Sequence, residues 1–333
     1  MRAGEAENPG AGEVDYLLAR VFDDRLLAGG RPVVVLYSGG RDSTCLLELA
    51  TRVAGRDCVS ALHVNYGLRE ASDADERSCA ELCVRLGVEL TVRRPRRPQS
   101  GNLQAWARDE RYSAAAQLAL ARDGDVAAGH TATDQVETIL YRLASSPSRR
   151  ALLGMRRREG RLVRPLLAFT REQTAAYCVA RGLGWREDES NHSEAFARNR
   201  IRARLVPALE EAHPAAQANV LALAQILDDE AGVLDELVAR TLGGRREIEL
   251  ARLRALEPAL RRLVVQRLAD LAADGPAPGA ARRADDVAAL ADRGTAALDL
   301  PHGVRAIAQG GVLRFERTPA RRPGRGPIGE AAG

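Results

Sequence analysis

The hydrophobic positions of this chain change period along its length. Val33-Val34-Val35-Leu36-Tyr37 is a continuous apolar run, as a strand buried on both faces requires. A helical pattern follows from Ser43 to about Val53. A second strand reads at Cys58–Val64, a helix near Ala71–Leu86 and a third strand at Val88–Val92. Leu103–Arg122 is a long helix pattern, Asp125–Ala128 a fourth strand and Asp134–Leu143 a helix. Arg161–Leu167 suggests another strand and Arg171–Arg181 another helix. Strand–helix alternation of this kind predicts an α/β fold, a parallel sheet with helices on both faces. Ligands of such sheets bind beyond the carboxyl ends of the strands.

The pattern changes near Leu205–Pro214. From Ala216 to Thr241 apolar residues recur at helix spacing, and a second helix carries Leu253, Leu256, Leu260, Leu263, Val264 and Leu268. A linker over 274–280, a short helix at Asp285–Ala291 and a hairpin complete the reading. The hairpin pairs Val304–Ala308 with Val312–Phe315 across Gln309-Gly310-Gly311. The expected organisation is a flexible tail over 1–13, an α/β domain over 14–205, a smaller, mainly helical domain over 206–316 and a second tail over 317–333.

Composition narrows the chemistry. The 333 residues carry 49 basic side chains, all of them Arg, against 45 acidic ones, a net charge of 49 − 45 = +4. With no lysine there is no Schiff-base lysine and no Walker-A lysine reaching a phosphate. Aromatic residues are scarce, which argues against a base-stacking platform, and no apolar run approaches a membrane span. The N-terminus is small, polar and acidic rather than a targeting segment, and cytoplasm is the default compartment. Cys45, Cys58, Cys79, Cys83 and Cys178 are odd in number and scattered, against a disulfide framework.

Ser38-Gly39-Gly40-Arg41-Asp42-Ser43 sits between an apolar strand and a helix start. Glycines let backbone approach an anion closely, and the N–H groups of the loop and the helix N-terminus form an anion site. Ser38 and Ser43 can donate hydroxyls to phosphate oxygens, and Asp42 makes sense there mainly if it reaches Mg²⁺. The bland alternative is a Gly-Gly turn with a capping residue. The loop resembles the PP-loop, SGGxDS, of N-type ATP pyrophosphatases. That resemblance implies that Ser38, Gly39, Gly40 and Ser43, with Arg41 beside them, hold the pyrophosphate of ATP, and that Asp42 is catalytic and helps place Mg²⁺.

Four further stretches narrow the family. His63-Val64-Asn65-Tyr66-Gly67-Leu68-Arg69 ends the second strand. Arg108 and Arg111 share one helix face in Ala107-Arg108-Asp109-Glu110-Arg111-Tyr112. Gly129-His130-Thr131-Ala132-Thr133-Asp134-Gln135-Val136-Glu137-Thr138 follows the fourth strand and puts Asp134 and Glu137 on one face. Trp185-Arg186-Glu187-Asp188-Glu189-Ser190-Asn191 leads to Phe196-Ala197-Arg198-Asn199-Arg200-Ile201-Arg202. Arg198, Arg200 and Arg202 make a dense positive cluster suited to phosphates or a carboxylate, or alternatively an internally paired charge network. Gly154-Met155 and Arg164-Pro165-Leu166-Leu167 stand upstream.

Together these stretches resemble the tRNA(Ile)-lysidine synthetases, whose patterns are HVDHGLR, ARxxRY, GHHADDQAET and EDxSN…FxRNRIR…LxPxL. Asn65, Tyr66, Thr131 and Thr133 depart from them, and Thr133 stands where the family has the first of two aspartates. The resemblance covers about residues 30–210 in order and, more loosely, the C-terminal domain to about residue 316, to which it assigns a tRNA role, and it implies a short family form. The implied reaction uses ATP and Mg²⁺ to join free L-lysine to C2 of the wobble cytidine of tRNA(Ile) with a CAU anticodon, through an adenylated tRNA. His63, Val64, Arg108, Gly129 and His130 are then expected near ATP. Asp134, Glu137, Asp188 and Arg200 are expected around the lysine, with Asp134, Glu137 and Arg200 also catalytic. Arg69, Arg111, Arg198 and Arg202 are expected near tRNA. No membrane partner is expected, and a homodimer is compatible with the sequence. A PP-loop tRNA thiolase and a non-catalytic tRNA-binding relative are the alternatives.

Overall fold

The computed structural model describes residues 11–68, 70, 72–146, 149–186 and 197–318. The chain divides into two compact units, Met1–Gln225 and Ile226–Gly333.

In the first unit α1 (Ala11–Asp23) precedes β1 (Val33–Leu36), α2 (Arg41–Val53), β2 (Val59–Val64), α3 (Ser72–Leu86), β3 (Glu89–Arg93), α4 (Leu103–Ala121), β4 (Asp125–Ala127) and α5 (Ala132–Ser145). Then come α6 (Arg149–Leu152), β5 (Arg158–Glu159), β6 (Leu162–Val163), α7 (Arg171–Ala180), α8 (Ala197–Arg200), a π turn (Ile201–Leu205), α9 (Val206–Ala212) and the start of α10 (Ala216–Leu242). The strands form one sheet in the order β3-β2-β1-β4-β6-β5, with only the β5–β6 pair antiparallel. The connection reverses direction between β1 and β4, so their carboxyl ends frame a crevice at the topological switch point.

Strand β1 shows why its sequence is continuously apolar. Val33, Val35 and Tyr37 enter one core with α1, α2 and α7, whereas Val34 and Leu36 enter the opposite core with Ala115 and Ala119 of α4. Successive side chains alternate faces, so a strand covered on both sides must be apolar at every position. The expected strand over 161–167 is shorter in the structure. Pro165 cannot donate to a ladder, and Leu167 N–H instead closes a turn onto Arg164 O at 3.2 Å. Helix α1 runs from the expected tail into the α/β domain, over residues to which the sequence reading gave no element. Val14, Leu17 and Val21, at helix spacing, bury against the first core, and Tyr16 meets Phe169 edge-on at 6.1 Å.

The second unit holds the remainder of α10, then β7 (Glu247–Glu249), α11 (Leu250–Ala255), α12 (Pro258–Ala273), α13 (Ala284–Ala288), β8 (Thr295–Leu300), β9 (Val304–Gln309) and β10 (Val312–Arg317). The expected hairpin is present, with Val312 opposite Gln309 and Arg317 opposite Val304. It is the centre of a four-stranded antiparallel sheet, β7-β10-β9-β8. Strand β8 escaped the sequence reading because Thr-Ala-Ala-Leu-Asp-Leu is poor in β-branched residues. Val304, Ala306, Ala308 and Leu313 face a core shared with Val264, Val265 and Leu268 of α12.

Leu17 is fully buried, so Leu17→Ala is expected to destabilise the protein by about 2–5 kcal/mol. Urea denaturation checks this: a midpoint equal to that of the unmodified protein would mean that α1 does not close the core.

Candidate functional site

The loop between β1 and α2 is shaped by glycine. Gly39 has φ +80°, and a Cβ there would lie 2.9 Å from the Cys79 sulfur. Gly40 is the N-cap of α2 with no side-chain cap of its own. The Ser43 hydroxyl donates to Gly40 O at 2.9 Å and accepts from the Ser38 N–H at 3.2 Å, and the Ser38 and Ser43 hydroxyls lie 3.1 Å apart. The loop therefore carries two hydroxyls and the first N–H groups of α2, an arrangement that suits a polyanion. Arg186 N–H donates to Gly39 O at 3.0 Å, so the chain returning after α7 passes over the loop.

Gly129 follows β4, beside this loop. A Cβ there would lie 3.1 Å from the Asp42 carbonyl group and 3.2 Å from Ser43 N, so only glycine lets the two backbones meet without displacement. His130 follows. Burial, with Arg164, Arg198 and Arg111, outweighs Asp134 and lowers its pKa to about 4. The ring is neutral at pH 7, and its buried Nδ1 has no hydrogen-bond partner among the described residues. On β2, His63 Nδ1 lies 3.0 Å from Tyr37 O, and Val64 follows at the strand end. The two departures in this stretch have local work. Asn65 donates to Asp73 and Glu76, both at 2.9 Å, and Tyr66 OH donates to Ala107 O at 2.6 Å.

Asp134 and Glu137 lie on one face of α5, as their spacing requires. Thr131 and Asp134 form a capping box that places Asp134 Oδ2 at 2.8 Å from Thr131 N. Three arginines then converge. Arg171 donates to Asp134 at 2.7 Å and Glu137 at 3.2 Å, Arg198 to the same two at 3.0 and 2.9 Å, and Arg202 to Glu137 at 2.5 Å. Burial alone would raise the Asp134 pKa. Arg171, Arg198 and the Thr131 N–H together outweigh it and hold the carboxyl below its usual range. Asp42 joins the same cluster, accepting from Thr174 Oγ1 at 2.5 Å and Arg41 Nε at 3.2 Å, with Arg171 Nε 3.7 Å away.

The structure thus brings Asp42, Asp134, Glu137, Arg198 and Arg202 together with Arg41 alongside. Arg200 lines a cleft of about 540 Å³ with Tyr141, Ala144, Ile201 and Leu205. Arg108 and Arg111 both lie over the Tyr112 ring, at 4.7 and 5.4 Å. Asp188 and Arg69 lie outside the described residues. Two members of the cluster were missed in the sequence, Arg171 and Thr174. The Thr170–Gln173 capping box marks the start of α7, but nothing local says that its first arginine reaches three carboxylates from two other helices. The departure Thr133 also finds a role, its hydroxyl accepting from Arg171 N–H at 3.3 Å. Gln135 pairs with both backbone groups of Met155, at 2.7 and 3.0 Å, over Gly154.

Gly129→Ala is expected to weaken the affinity for ATP expected of this loop by at least about tenfold, or ~1.4 kcal/mol, with thermal stability near that of the unmodified protein. Calorimetric titration reads it, and unchanged affinity would refute the close approach. For His130 the sign is set by linkage. The unfolded ring takes up a proton below its ordinary pKa of 6.5 and the folded ring only near 4, so stability falls as pH drops across that window and levels off below it. The effect reaches up to about 3 kcal/mol. His130→Asn should lose this slope in urea midpoints measured at pH 4.5 and 7; identical slopes would contradict a neutral folded ring.

Comparison with known proteins agrees with this geometry. A family model for the PP-loop domain matches residues 13–209. A tRNA(Ile)-lysidine synthase from Symbiobacterium thermophilum is 38% identical over 348 aligned positions, covering 96% of this chain and 71% of that protein. Those of Pseudomonas putida and Thermus thermophilus are 36% and 40% identical, covering 70% and 64% of this chain. The chain spans only 58% and 43% of the length of these last two. Among solved structures, a U34-tRNA thiolase from Methanococcus maripaludis superposes with a TM-score of 0.55 at 15% identity, over 65% of this chain and 79% of that one, a likeness of fold. By the match over residues 13–209 and the near full-length similarity to the Symbiobacterium protein, the chain belongs to the PP-loop proteins and, among them, to the tRNA(Ile)-lysidine synthase family.

Proposed function

We propose that this protein joins free L-lysine to C2 of the wobble cytidine of tRNA(Ile) bearing a CAU anticodon, at the expense of ATP. The observation that carries this reading is the convergence of the glycine loop and the Asp134–Glu137 pair on one crevice, with Asp42 in contact with the arginine that joins them. A polyanion and an ammonium group would meet there.

The loop fits a Mg²⁺-bound nucleotide. The candidate ligands are all oxygen, Asp42 with the Ser38 and Ser43 hydroxyls, as a hard cation prefers, and a Cβ at Gly39 or Gly129 would push against Cys79 or the Asp42–Ser43 backbone and distort the loop. When bound, Mg²⁺·ATP supplies the adenylyl group that turns the C2 oxygen into a leaving group. The protein's own residues then bind and orient. Backbone N–H groups and hydroxyls of Ser38, Gly39, Gly40 and Ser43, with Arg41, hold the phosphates, and fixed donors of this kind cost no reorganisation during reaction. His63, Val64, Arg108, Gly129 and His130 border the nucleotide. Asp134 and Glu137, with Asp188, accept the ammonium group of lysine, and Arg200, which lines the cleft with Tyr141, is assigned its carboxylate. Arg69 and Arg111 are assigned to tRNA phosphates, as are Arg198 and Arg202, which in this structure pair with Asp134 and Glu137 and must exchange those partners to reach tRNA.

The reading as a catalyst is favoured over a binding relative because the Thr133 position still serves the site, seating Arg171. A thiolase reading finds four of the five cysteines inaccessible, Cys58 alone being partly exposed. Cys45, Cys79, Cys83 and Cys178 are buried, and burial pushes the Cys79 thiol up to about 12.

Purified protein should release AMP only when ATP, lysine and a CAU-anticodon tRNA(Ile) transcript are all present. Asp42→Ala should lower the rate by about 10²–10³. AMP release without lysine, or none with all three, would sink the proposal. Binding through phosphate contacts also requires tRNA affinity to fall steeply with salt. A flat dependence between 50 and 200 mM, roughly the range over which such contacts are screened, would remove the tRNA roles of these arginines.

A further inference from the structure

Arg171 opens α7, where a cation faces the positive end of the helix dipole, so its charge does not serve the helix. Its side chain is only 17% exposed. Nη2 donates to Asp134, Nη1 to Glu137, and Nε lies 3.7 Å from Asp42 Oδ2. Its backbone N–H is held by Thr133, and Thr174, one turn on, donates to Asp42. One planar cation therefore spans the loop that suits phosphates and the carboxylate pair that suits an ammonium group.

The charge balance around that pair is unfavourable to a further cation. Among the described residues, Asp134 and Glu137 carry two negative charges and meet three guanidinium groups, those of Arg171, Arg198 and Arg202, while Asp42 is met by Arg41 as well as by Arg171. An ammonium group entering there adds to a local excess of positive charge until one arginine withdraws. Arg198 and Arg202 arrive from α8 and the π turn. Of the three, Arg171 is the one whose guanidinium also reaches the acidic residue of the glycine loop. A triphosphate on the loop offers it a bidentate acceptor, for which guanidinium geometry is well matched.

We propose that Arg171 is a positioning residue that couples the two halves of the site. Nucleotide on the glycine loop draws its guanidinium away from Asp134 and Glu137 and opens that pair to the lysine ammonium group. Lysine affinity then rises when nucleotide is bound, and by reciprocity nucleotide affinity rises with lysine. The inference rests on the proposed reaction, since it takes lysine to be the amine.

The test is equilibrium dialysis of radiolabelled L-lysine against the full chain, without tRNA, with and without Mg²⁺ and α,β-methylene-ATP, which is not split at that bond. The nucleotide is expected to raise lysine affinity about tenfold in the unmodified protein, within the usual span of coupling between sites. In Arg171→Gln the affinity without nucleotide should rise and the ratio fall below about twofold. Arg171→Lys keeps the charge without the fork and should also lose most of the ratio, which keeps the test open if the Gln variant does not fold. Lysine binding that is indifferent to nucleotide in the unmodified protein, or full coupling in either folded variant, overturns the inference while leaving the proposed reaction standing. No lysine binding in either state, with no AMP released in the complete assay, overturns both.

Discussion

A carboxylate without exposed surface needs a cation, and Glu137 has three guanidinium groups within hydrogen-bond reach. Transferring such a group from water costs several kcal/mol, and breaking a buried pair by removing one partner typically costs about 3–5 kcal/mol. The arginines come from three places in the chain, so the start of α7, α8 and the π turn must all arrive at one face of α5. Arg171 extends the same requirement to Asp42, linking α2 to α5 and α7. Charge compensation of one buried acid thus fixes how the elements around the crevice meet.

Glycine supplies the other half of the arrangement, through what it lacks. Gly39 lets the loop turn over Cys79, and Gly129 lets the end of β4 rest on the backbone of Asp42 and Ser43. At Gly154, where φ is +62°, a Cβ would collide with Gln135, whose amide reads both backbone groups of the next residue. Two backbones and an amide approach within van der Waals distance, so peptide groups of the glycine loop stand open beside the carboxylates and arginines of the crevice. That suits a chain without lysine. Phosphates can be met by N–H groups, hydroxyls and arginine, none of which needs a titratable amine.

Not every arginine-rich stretch faces a ligand. Arg157 pairs with Asp24 and Arg158 with Asp125, so this part of the Arg156–Arg158 run closes the structure on itself. Arg94 is likewise taken by Glu76. In the Arg198–Arg202 cluster, the sequence left a ligand-binding patch and an internal ion network both open. The structure pairs Arg198 and Arg202 with buried acids and sends Arg200 to a different cleft. Alternate residues of a helical turn point in different directions, so equal charge along the sequence does not mean equal surroundings.

The α/β alternation, the glycine loop and the placing of Asp134 and Glu137 on one helix face were legible in the sequence, because each depends on local period, turn chemistry or spacing. Strand β1 announced its double burial by having no polar position, and the hairpin of β9 and β10 by its two glycines. Strand β8, the shortened strand at Leu162–Val163 and the role of Arg171 were not, and helix α1 was passed over although Val14, Leu17 and Val21 recur at helix spacing. An alanine-rich strand carries a weak local signal, and an arginine gives no sign of which carboxylate it will meet across 34 or 37 residues of chain. Sequence alone determined which chemical groups are available and the backbone forms that carry them. Tertiary structure decided which charges neutralise one another, because that depends on which buried groups share a region of low dielectric once the sheet and its helices have packed.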